Sequence, residues 1–131
     1  MYKITVEHEK NMNFKVRGHD AEMVIDADGG AIAPLEAMLA SLGACAGVYI
    51  RKFAWSVKLP LEKFKVTVQG DLTDKAPYAF KKIEILVDLK GAKLDESKRA
   101  SLLRFIKNCP VHQTLKINPE IDITLIKSKK I

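Results

Sequence analysis

The sequence predicts an α+β fold in which antiparallel sheets surround one long buried helix, and three observations carry that prediction. The stretch Pro34 to Ile50, PLEAMLASLGACAGVYI, has only Glu36 and Ser41 as polar side chains. A helix that is apolar on every face is one that buries every face. On either side of it lie segments whose apolar residues alternate with polar ones, the two-residue period of half-buried strands. Turn residues join most of those strands, which makes the pairing antiparallel.

In chain order, Tyr2, Ile4 and Val6 alternate with Lys3, Thr5 and Glu7 as a first strand, and Asn11 to Asn13 supply turn chemistry. Phe14 and Val16, then Met23 and Ile25 beyond Gly18, give a second and third strand in hairpin connection. Asp28, Gly29 and Gly30 start the connection to the helix. Pro34 suits the first helical turn, where its missing N–H costs little, and Glu36 complements the dipole there. The helix continues through Trp55 and ends before Pro60, because the residue preceding a proline avoids helical geometry. Phe64, Val66 and Val68, then Ile83, Ile85, Val87 and Leu89, mark two amphipathic strands linked through Gly70 to Tyr78. Asp95 caps a helix whose apolar positions are Leu102, Leu103 and Ile106 and which ends near Asn108. Pro110 opens a short helix over Val111 to Leu115, so Cys109 stands at a helix boundary. After Pro119, Ile121, Ile123 and Leu125 alternate with Asp122, Thr124 and Ile126 as a last strand.

At 131 residues the chain is one domain, 1–131, since halves would be too small to build good cores. Wrapping an all-apolar helix then requires two layers of the chain's own structure or a second copy's helix beside it. The small residues Ala40, Ser41, Gly43, Ala44, Ala46 and Gly47 permit close approach. Lys and Arg outnumber Asp and Glu by 22 to 16, giving a net charge of +6 and a pI near 9.3. The basic residues are scattered, with one cluster at Lys127, Lys129 and Lys130, so the charge reads as a solvated surface and not as a nucleic-acid footprint. The apolar run is shorter than the about 20 residues that span a bilayer and contains Glu36, so no membrane span is expected. The first 20 residues show no secretory pattern, which places the chain in the cytoplasm. Two distant cysteines and three separated histidines offer no metal-ligand spacing.

Either cysteine alone would read as a small packed hydrophobe. Cys45 is less bland, because Gly43, Ala44, Ala46 and Gly47 leave room for a substrate to reach its sulfur. A Pro, a Glu shortly after it, LASLGAC around Cys45, and NCPVHQTL around Cys109 together resemble the OsmC/Ohr family of osmotically induced and organic-hydroperoxide-resistance proteins. The resemblance covers almost the whole chain. It implies an OsmC-like fold, an intertwined homodimer with long central helices at its core, and thiol peroxidase activity toward organic hydroperoxides. It implies further that Cys45 is the peroxidatic residue and Cys109 the resolving one, with no cofactor and with a dithiol reductant of lipoyl or thioredoxin type.

Such chemistry needs a thiolate at Cys45, below its reference pKa of about 8.5. The N-terminus of the central helix cannot supply the field, since Cys45 lies about 16 Å along it at about 1.5 Å per residue. The family pairs an Arg with a Glu beside the reactive Cys. By the resemblance these are Arg17 and Glu36, although the family's Glu directly follows the Pro, where this chain has Leu35. On an ideal helix Glu36 lies about 180° from Cys45, which equally suits a first-turn, dipole-complementing role. Arg17 reads equally as a surface charge, Lys10 is nearer the family position by count, and Arg51 lies about 240° around from Cys45. His112 stands one turn beyond Cys109 and could tune it, whereas His8 and His19 read as strand-end surface residues. An apolar substrate pocket would draw on Met38, Leu42, Tyr49, Phe53 and Phe80, all equally suited to a core. The alternative to a peroxidase is an OsmC-type redox-sensing or apolar-ligand-binding protein, and thiol titration separates the two.

Overall fold

The computed structural model describes residues 1–127 and bears out an α+β architecture with antiparallel sheets. Strands β1 (Thr5–Lys10), β2 (Asn13–Arg17) and β3 (Glu22–Asp26) form a meander in the order β1-β2-β3. The central helix α1 (Pro34–Ser56) follows, then the hairpin β4 (Lys65–Leu72) and β5 (Phe80–Asp88), and finally α2 (Glu96–Ile106) and α3 (Pro110–Ile117).

The first strand begins later than its alternation suggests. Pairing runs from Thr5↔Arg17 to Lys10↔Asn13 around a turn in which Asn11 adopts φ 50°, so β2 is used up before Tyr2 and Ile4 can pair. The β4–β5 hairpin follows the expected alternation, with Val66↔Val87 and Val68↔Ile85 packed toward α1. Gly43 lets α1 approach this hairpin closely, since a Cβ there would stand 2.9 Å from Val68 Cγ2.

The core sits where α1 meets α2 and the hairpin. Ala46, Ile50, Phe53, Ala54, Leu61, Leu102 and Ile106 are its buried residues, surrounded by Phe64, Val66, Ile85, Val87 and Phe105. Asp95 caps α2 as expected, its carboxylate accepting the Lys98 N–H at 2.8 Å. The chain then turns sharply, with Asn108 N–H donating to Phe105 O and Cys109 N–H to Ile106 O. Cys109 is extended at ψ 129°, as a residue before proline prefers, and Pro110 opens α3.

Two expectations are corrected. The central helix is not buried on every face: Leu42, Ala46, Ile50, Phe53 and Ala54 are buried, but Leu35, Met38, Val48 and Trp55 are exposed. One chain has only enough structure to cover part of α1. The expected last strand does not form within this chain either. Ile121, Ile123 and Leu125 are 80%, 92% and 97% exposed, because no strand among the described residues lies beside them to accept their pairing. The basic cluster at the end falls largely outside the described residues, which include Lys127 but not Lys129 or Lys130.

Candidate active site

The two cysteines are brought together by α1 and α3. Cys45 is half-buried in the middle of α1, Cys109 is buried as the N-cap of α3, and both are free thiols. Pro110 has no N–H, so the first donors that α3 leaves without helical partners are those of Val111 and His112. The His112 N–H donates to Cys109 Sγ at 3.5 Å, and the Val111 N–H lies near enough to the Cys45 sulfur to favour its anion. The Cys109 thiol is the other polar neighbour of Cys45.

This arrangement supplies negative-charge stabilisation from a direction the sequence did not suggest. The N-terminus of α1 is remote from Cys45, but the N-terminus of α3 is docked against it, and helix N-terminal donors favour an anion. Opposing effects are larger. Burial pushes the Cys45 thiol above its ordinary value, and the Cys109 hydrogen bond and charge add to the rise, while the Val111 N–H and the Lys52 charge act in the other direction. In a single chain the balance therefore favours the Cys45 thiol over its thiolate.

A family model described as OsmC-like protein matches residues 27–124. The chain belongs to the OsmC-like family. Solved structures share the fold. An OsmC-like protein from Mycoplasma pneumoniae superposes with a TM-score of 0.76 at 20% identity, over 88% of this chain and 87% of that one. The organic hydroperoxide resistance protein OhrB of Bacillus subtilis gives 0.65 at 17% identity, over 90% of this chain and 92% of that one. An organic hydroperoxide resistance protein OsmC from Legionella pneumophila gives 0.59 at 19% identity, over 88% and 89%. No curated protein matches the sequence.

The other residues singled out by the OsmC resemblance are dispersed in this chain. Arg17 pairs across β1–β3 with Glu7 and, at 3.4 Å, with Glu22, so its guanidinium is committed to the sheet. Glu36 Oε1 accepts the Ala33 N–H at 2.9 Å and closes the first turn of α1. It also lines a groove of about 540 Å³ between α1 and β4, with Gly43, Phe64, Val66 and Val68 among its walls, which Cys45 does not join. Arg51 donates to Leu61 O and lies 5.7 Å from the Trp55 ring centroid. His8 contacts Asn11 O and Phe14, and His19 stands beside Asp20 at the surface.

Of the expected pocket residues, Leu42 lines a groove of about 260 Å³ with Ile83, Ile85, His112, Leu115 and Lys116. Tyr49 stacks on Phe105 at 5.3 Å between centroids, Met38 is exposed, and the Phe80 ring covers Gly70. Phe53 is a core residue packed against Phe105 and presents no open wall. Among the described residues no three His, Cys, Asp or Glu side chains gather as a metal site, and no helix is long and apolar enough to cross a membrane.

Two contributors to the Cys45 environment escaped the sequence reading. Val111 acts through its backbone, which side-chain chemistry cannot reveal. Lys52 was legible, because it follows Cys45 by two helical turns and so shares its face to within about 20°.

Proposed function

We propose that this OsmC-like chain is a thiol peroxidase that reduces organic hydroperoxides with Cys45 as the attacking sulfur and Cys109 as the resolving one. The observation that carries the reading is the proximity of these two thiols at the first turn of α3. The Cys45 thiolate attacks the distal peroxide oxygen, the O–O bond breaks, and the departing alkoxide takes a proton to become the alcohol. Cys45 is left as a sulfenic acid, oxidised by two electrons. The Cys109 sulfur then attacks the Cys45 sulfur, water leaves and a disulfide forms. An external dithiol of lipoyl or thioredoxin type returns both thiols, which suits the reducing cytoplasm. The two sulfurs carry both electrons, so no cofactor is called for.

The working unit in this reading is a homodimer. Tyr2, Ile4 and Val6 beside β2, Val48 and Trp55 on α1, and Ile121, Ile123 and Leu125 after α3 leave more apolar surface in water than a monomer would retain. Arg17 and Glu36 have partners of their own within one chain, so any part they play at Cys45 comes through a second copy. The apolar groove around Leu42, together with Tyr49 and Met38, is the surface offered to an organic substrate.

Cys45→Ser is expected to reduce cumene hydroperoxide consumption with dithiothreitol to the rate of dithiothreitol alone. Cys109→Ser should still be oxidised at Cys45, with the sulfenic acid captured by dimedone. Retention of full turnover in Cys45→Ser would sink the proposal. A second reading is favoured by the raised Cys45 thiol and the committed Arg17: the same pair acts as a slow redox sensor or the groove as an apolar-ligand site. Stoichiometric oxidation without turnover in excess dithiol would select it.

A further inference from the structure

We propose that Lys52 is the cation that stabilises the Cys45 thiolate, in place of any arginine of the same chain. The inference deepens the peroxidase reading and rests on it for its use, although its test does not. Cys45, Tyr49 and Lys52 occupy successive turns of one face of α1, at intervals of four and three residues. Helical side chains lean toward the N-terminus, so the Lys52 stem runs back over the turn that carries Tyr49, toward Cys45. The ammonium is found there, with Nζ 4.9 Å from the centroid of the Tyr49 ring. That ring is itself fixed by Phe105 of α2 at 5.3 Å. An aromatic face holds a cation without neutralising it, as a carboxylate would.

The two arginines weighed for this role, Arg17 and Arg51, are occupied. Arg17 is bound by Glu7 and Glu22, and Arg51 by Leu61 O and the Trp55 face. Among the described residues Lys52 forms no ion pair. The titratable groups acting on Cys45 are Lys52 from its own helix and Cys109 from α3, and the neighbouring α3 residue His112 turns its backbone N–H to Cys109. A positive charge on the α1 side favours the anionic form of Cys45, the sulfur that must attack.

The test is the pH profile of iodoacetamide alkylation of reduced protein, read at Cys45 by peptide mass. Only the thiolate reacts, so the rate should rise about tenfold per pH unit and level off above the thiol pKa. Lys52→Gln should move the profile upward by about half a unit to one unit, and Lys52→Arg should keep it at the wild-type position. Raising salt from low to high concentration should shift the wild-type profile upward and leave Lys52→Gln nearly still, since an exposed charge is screened. Superimposable profiles for wild type and Lys52→Gln overturn the proposal, as does a Lys52→Arg profile that follows Lys52→Gln. A Lys52-dependent shift in a protein with no peroxidase turnover would retain this inference and discard the enzyme reading. Turnover with no shift would do the reverse.

Discussion

The helical half of the chain and its flanking sheet differ in how completely they bury their own apolar residues. Around α1, α2 and the β4–β5 hairpin, Ile50 is fully buried and six other residues join it in one core. In β1–β3 only Val16 is buried, and the segment after α3 exposes Ile121, Ile123 and Leu125. Both regions carry the alternation and apolar content of folded structure. The difference teaches that one region is completed by the chain itself, while the other leaves its apolar residues uncovered by this chain. The two sulfurs lie on the completed side, at the junction of α1 and α3, and the Arg17 sheet lies on the other.

The comparison can be broken at either end. Ile50→Ala removes a side chain with no solvent exposure and should cost about 2–5 kcal/mol, read as a lowered urea midpoint. A loss below about 1 kcal/mol would mean that the helical core is not self-completed. Ile123→Ser should cost less, about 1.5–3 kcal/mol, and the loss should appear in association. Its dimer would dissociate at roughly tenfold or higher protein concentration than wild type in sedimentation equilibrium, since about 1.4 kcal/mol is tenfold. An unchanged dissociation constant, or a wild-type chain that sediments as a monomer at all concentrations, would remove the second copy from the account.

Much of the fold was legible because local periodicity decides it. The β4–β5 alternation, the Asp95 cap and the Pro110 helix start are short-range features, and each is found where its residues predict it. The last strand was not recoverable in one chain, because a strand needs a neighbour and alternation alone does not provide one. The exposed part of α1 has the same origin: its composition is apolar on every face, whereas one chain covers only the faces toward α2, α3 and the hairpin. At the site, the motif around each cysteine identified the pair, but the field at Cys45 depends on where α3 docks. That is a tertiary fact, and it brings in the Val111 N–H. Glu36 illustrates the opposite outcome, since helical geometry alone already set it away from Cys45 and the first-turn role is the one observed within the chain.

The most direct test of the central claim is the mass of the denatured, alkylated wild-type protein after one equivalent of cumene hydroperoxide without reductant. The expected product has lost two hydrogens, takes up no alkylating agent, and yields one linked peptide pair containing Cys45 and Cys109 of the same chain. Oxidation that stops at a sulfenic acid on Cys45, or a disulfide that joins Cys45 to a cysteine of another chain, would contradict the pairing of these two sulfurs as one reaction centre.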